Sequence, residues 1–160
     1  MKLILSFLTA FIFFFQNDLE ALRNSYAKAN QSNENTRSFI SIAEKQSGSD
    51  AVTSGYKAAA QIMEAKVTTE KGKRKSFIKT GATTLENLVK NNPNNIELRL
   101  IRLSVQENIP KIVGYRGSLK EDKAFILSNY NKQSTALKNY IKKFALQSKT
   151  FTVTDKASLK

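Results

Sequence analysis

The sequence predicts an all-α protein: a compact helical bundle or short solenoid-like array of about six helices, with one helix sandwiched at the centre. Three observations carry this. Glycine and proline number only 6 and 2 in 160 residues, so few positions interrupt a helix. The apolar–polar alternation of strands is nearly absent. Ser, Asp and Asn stand ahead of apolar runs at helical spacing, where they serve as N-caps. The length fits one domain and can bury a core without disulfides. Residues 17–150 are assigned to this domain, residues 1–16 to a signal peptide and residues 151–160 to a flexible tail.

The chain opens "MKLILSFLTAFIFFFQND". Lys2 precedes thirteen uncharged residues, Leu3 to Phe15. As a helix this run would span roughly 20 Å, short of a bilayer core of about 30 Å. A basic residue before a short apolar stretch at the N-terminus matches a signal peptide. Four phenylalanines within residues 11–15 suit lipid better than a packed core. The small residues expected before a cleavage point are missing, since Phe14 and Gln16 fill those positions if cleavage precedes Asn17. The expectation is export to the periplasm or cell envelope, with cleavage or with the segment kept as a short anchor.

A first helix is expected from Asp18 as N-cap, with Leu19, Leu22 and Tyr26 on one face. Asn30–Asn35 reads as a polar loop. A second helix carries Phe39, Ile40, Ile42 and Ala43; Gly48 is its expected stop and Asp50 the next cap. The third, "AVTSGYKAAAQIMEAKV", sets Val52, Tyr56, Ala59, Ala60, Met63 and Val67 in one stripe, its small residues allowing a close neighbour. The fourth contains Phe77, Ile78, Leu85, Leu88 and Val89 and stops before "NNPNN", where Pro93 cannot continue it. Asn94 is expected to cap the fifth helix, with Glu97 completing a capping box.

The fifth helix has two opposed apolar faces at 100° per residue. Ile96, Leu100 and Leu103 lie on one side; Leu98, Ile101, Val105 and Ile109 lie on the other. A helix of this kind needs neighbours on both sides. Arg99, Arg102 and Gln106 form one polar seam between the faces, with Glu121 and Asp122 as expected carboxylate partners. Glu97, Ser104 and Asn108 form the other. Pro110 ends the helix, Gly114 and Gly117 turn the chain, and Ser118 with Glu121 reads as a second capping box. A sixth helix buries Leu119, Phe125 and Ile126. A last one from about Thr135 to Gln147 buries Leu137, Tyr140, Ile141, Phe144 and Ala145.

Composition narrows the chemistry. Cysteine, histidine and tryptophan are absent, which removes thiolate chemistry, the commonest general base and the commonest metal ligands. No cofactor and no metal site is expected. Glu64, Glu86, Glu97, Glu107, Glu121 and Asp122 lack motif-level spacing, so no enzymatic activity is expected. The net charge of +13 is uneven: residues 17–70 hold seven acids and six bases, residues 71–160 six acids and nineteen bases. The anion-binding candidates are Lys71, Lys73, Arg74 and Lys75 at a helix entrance, and the pair Arg99 and Arg102.

"LENLVKNNPNNIELRL" resembles the junction between tetratricopeptide repeats, over residues 77–105. Against a repeat of about 34 residues anchored on Pro93, only Leu85 and Leu88 fit well, and Gly81 is tolerable. Gly72 and Leu127 occupy the tyrosine and next proline positions, so the likeness covers one divergent hairpin. More broadly, "GYKAAAQIMEAK", "PNNIELRLIRLSVQENIPKIVGY" and "EDKAFIL" resemble small, uncharacterised, exported helical proteins of bacteria. That resemblance implies an envelope location and a helical fold, and carries no activity. The resulting expectation is a non-enzymatic interaction or structural module of the bacterial cell envelope with a protein partner. The alternative is a binder of anionic surfaces, such as acidic lipid, glycan or nucleic acid, through the basic half. Export favours an anionic membrane surface over nucleic acid. The sequence leaves oligomeric state open.

Overall fold

The computed structural model describes residues 19–160. The signal-peptide expectation and the Asp18 cap lie outside these residues. The described chain is all-helical, with eight helices packed together and no strand among the described residues. They are α1 (19–28), α2 (Asn33–Lys45), α3 (Ala51–Val67), α4 (Arg74–Asn91), α5 (Ile96–Asn108), α6 (Leu119–Asn129), α7 (Thr135–Gln147) and α8 (Val153–Ser158). Helix α3 packs on α2, α4 and α5, and α5 also packs on α4 and α6.

Two apolar clusters hold these helices together. The first joins Leu22 and Tyr26 of α1, Phe39 and Ile40 of α2, the α3 stripe, Leu85 of α4, and Ile101, Val105 and Ile109 at α5. Rings of Tyr26, Phe39 and Tyr56 meet there at centroid distances of 5.0 to 6.5 Å. The second joins Ile96, Leu100 and Leu103 of α5 to Ile126, Tyr130, Ile141, Ala145, Phe151 and Leu159. The two apolar faces of α5 therefore enter different clusters, and every residue from Ile96 to Gln106 is buried.

Glycines fix two close approaches. A Cβ on Gly81 would stand 2.6 Å from the Ala58 carbonyl oxygen, so α4 meets the backbone of α3. A Cβ on Gly55 would stand 2.6 Å from the Leu98 side chain, between α3 and α5.

Several local expectations change. Helix α2 starts at Asn33, capped by Ser32, inside the expected loop; it ends at Lys45, before Gly48. Asp50 caps α3 as expected, accepting from the Val52 and Thr53 N–H groups. Asn95, not Asn94, caps α5, and Glu97 turns away from the cap to bind Arg23 and Tyr56. Ser118 precedes α6 without a side-chain cap, since its backbone is not in the extended conformation a cap residue adopts, and Glu121 is held by Arg99 instead of completing a box. The expected tail is instead ordered as α8. Thr152 and Asp155 form a capping box there, and Phe151 and Leu159 are buried in the second cluster. Those two apolar residues anchor a segment whose polar composition reads as a tail.

Candidate functional site

Asp122 is fully buried on the first turn of α6. Both its oxygens accept hydrogen bonds from Arg102, Nε–Oδ2 at 2.8 Å and Nη2–Oδ1 at 2.7 Å; Arg99 Nη1 reaches Oδ1 at 3.1 Å. Arg99 also donates to Glu121 at 2.8 Å and to the Pro93 carbonyl at 2.9 Å, and its guanidinium lies 4.3 Å from the Phe125 ring centre. Arg102 donates to Glu86 at 2.7 Å, and Tyr115 donates to the other Glu86 oxygen at 2.6 Å. Burial works against the Arg102 charge, but Asp122 and Glu86 outweigh it and leave its pKa raised. Burial, then Glu86, raises that of Tyr115. Gln106 closes the seam by accepting from the Ser118 N–H.

The opposite seam is also closed. Glu97 accepts from Arg23 at 2.8 and 2.6 Å and from the Tyr56 hydroxyl at 2.8 Å; Tyr140 sits 3.2 Å from that hydroxyl. Burial, then Tyr140 and Glu97, pushes the Tyr56 pKa well up. Further along α5, Glu107 accepts from Ser148 and from the Lys149 and Thr150 N–H groups. Thus Arg99 and Arg102 have the carboxylate partners that sequence suggests, and both are buried. The roles of Arg23, Tyr56, Tyr140 and Glu107 have no sequence signal. Each depends on residues at least 41 positions apart meeting in space.

The other candidates lie elsewhere. Lys71, Lys73, Arg74 and Lys75 are all exposed on the short turn Lys71–Lys73 and the start of α4. Lys73 pairs with Glu70 at 2.8 Å. Arg74 has only a long 3.5 Å contact with the Thr68 carbonyl. Helix α4 begins without a side-chain cap and without an acid in its first turn. The six candidates therefore form two separate sets, one internal and paired, one external and largely unpaired.

Beside the external set is a cavity of about 540 Å³ between α1, α3, α4 and α5. Ile62, Met63, Ile78, Val105 and Ile109 supply apolar wall; Lys66 and Arg74 stand at its margin. Tyr26 faces it with a phenol pushed up to about 12 by burial, the neighbouring Ser104 hydroxyl acting in the opposite direction. A second cavity of about 1060 Å³ between α1 and α7 is more polar, with Glu20, Arg23, Lys28, Glu107 and Lys143 in its lining. Among the described residues, no acidic cluster could hold a metal ion, and no helix is long and apolar enough to cross a membrane. No family model, no curated protein and no solved structure matches the chain.

Proposed function

We propose that the chain is a non-enzymatic helical interaction module of the bacterial cell envelope, exported or anchored through residues 1–16. In this reading it docks on a protein partner through the connection between α5 and α6. The carrying observation is Ile112, 96% exposed on the turn Lys111–Val113 and followed by the exposed Val113. Covering two adjacent aliphatic side chains in that position removes apolar surface from water, which favours association.

The commitment of Glu86, Glu97, Glu107 and Asp122 to internal partners favours binding over catalysis. It also fits α5 as the central, sandwiched helix of a framework that presents loops to a partner. The apolar run Leu3–Phe15 supports the envelope location.

The test combines fractionation, mass spectrometry of the N-terminus and crosslinking of a tagged full chain. The expected result is an envelope fraction in which one protein is crosslinked, lost with Ile112→Asp and kept with Val153→Asp. A cytosolic chain, or crosslinking indifferent to Ile112→Asp, overturns the reading. A second reading, an anionic-surface binder, is favoured by the exposed cluster Lys71, Lys73, Arg74 and Lys75.

A further inference from the structure

The start of α4 combines three features. Lys73, Arg74 and Lys75 crowd the positive end of the helix dipole, where cations are unfavourable and an anion is stabilising. Glu70 pairs with Lys73, but no side-chain cap and no first-turn acid relieves Arg74 and Lys75. The same helix start borders the apolar cavity of about 540 Å³, a size typical of small-molecule sites.

At the margin Arg74 is joined by Lys66 from α3. Among the described residues neither has a carboxylate within ion-pair distance; Lys66 reaches only the Asn30 carbonyl at 3.5 Å. Unpaired cations over an apolar hollow match a molecule with one greasy body and one anionic end.

We propose that this cavity binds a single-chain anionic amphiphile. Its tail would lie against Ile62, Met63, Ile78 and Val105, and its carboxylate or phosphate would sit between Lys66 and Arg74. The head group would supply the negative charge that the sequence omits from the first turn of α4. The tail would cover the apolar wall of the cavity. Pro110 of the docking turn borders the cavity but Ile112 does not line it, so each reading can fail alone.

The chain has two methionines, Met1 and Met63, which makes the Met63 methyl group a local reporter. Full-length chain labelled with 13C at the methionine methyls is titrated below the micellar limit with dodecanoate, dodecyl phosphate or dodecanol. A saturable shift of the Met63 signal is expected with the two anionic probes, at an affinity at least about tenfold above that for dodecanol. Preference for dodecanoate would identify a free fatty acid, and preference for the phosphate a monoacyl phosphate. Either supports the site.

The exposed double change Lys66→Glu and Arg74→Glu should weaken the anionic probes about tenfold or more and leave dodecanol unaffected. Lys142→Glu with Lys143→Glu, on α7, should change nothing, and neither should Ile112→Asp. An unmoved Met63 signal, equal affinity for all three probes, or equal loss from the α7 charge reversal overturns the proposal.

Discussion

Asp122 is the residue on which the polar interior turns, because it faces Arg99 and Arg102 with no exposure to water. Removing one partner of such a group strands the other charges, at a cost of about 3–5 kcal/mol. Asp122→Asn should lose that much stability in urea unfolding, while Glu70→Gln, in an exposed pair with Lys73, should change it by less than about 1 kcal/mol. Asp155 gives the pH dependence. Lys123, then the Thr152 cap, lowers its pKa to about 2 from 3.8. Glu107 is also low: burial opposes its charge, but bonds from Ser148 and Thr150 prevail. A carboxylate with a depressed folded pKa stabilises the fold above its unfolded pKa. For Asp155 that contribution is full above about pH 4 and is lost as pH falls through about 2. Acid titration of the melting temperature should show this decline, and Asp155→Asn should flatten it.

At the scale of elements, helix-to-helix spacing is set by small residues. A methyl group at Gly81 would press on the backbone of α3, which cannot rotate away. Gly81→Ala should cost about 1–3 kcal/mol by overpacking. Gly72→Ala meets nothing within 4 Å and should stay within about 0.5 kcal/mol. Paired melting curves of the two variants check this. Elements were legible where local chemistry dominates: α7 is Thr135–Gln147, as its periodicity indicates, and Pro93 separates α4 from α5. Caps were less legible. Either Asn94 or Asn95 can cap α5, and Glu97 leaves the capping box because Arg23 and Tyr56 offer it a buried charge-assisted site. Helix α8 was missed because its stability comes from Phe151 and Leu159 in a distant cluster.

For the whole molecule, the uneven net charge of +13 governs encounters at long range. If the basic half contacts anionic membranes, sedimentation with phosphatidylglycerol vesicles should fade as salt rises from about 50 mM to about 500 mM, as the Debye length contracts. Binding indifferent to salt would contradict a charge-driven contact. The sequence by itself determined the helical class, the two apolar faces of α5, the break at Pro93 and the placing of Arg99 and Arg102 on one seam between those faces. All of these follow from periodicity, turn chemistry or charge within short stretches. Only the tertiary structure decided that Glu97 meets Arg23 and Tyr56, that Glu107 ties down residues 148–150, and that Lys66 and Arg74 flank one apolar hollow. The physical reason is that these meetings depend on how helices far apart in sequence cross, and no local pattern encodes a crossing.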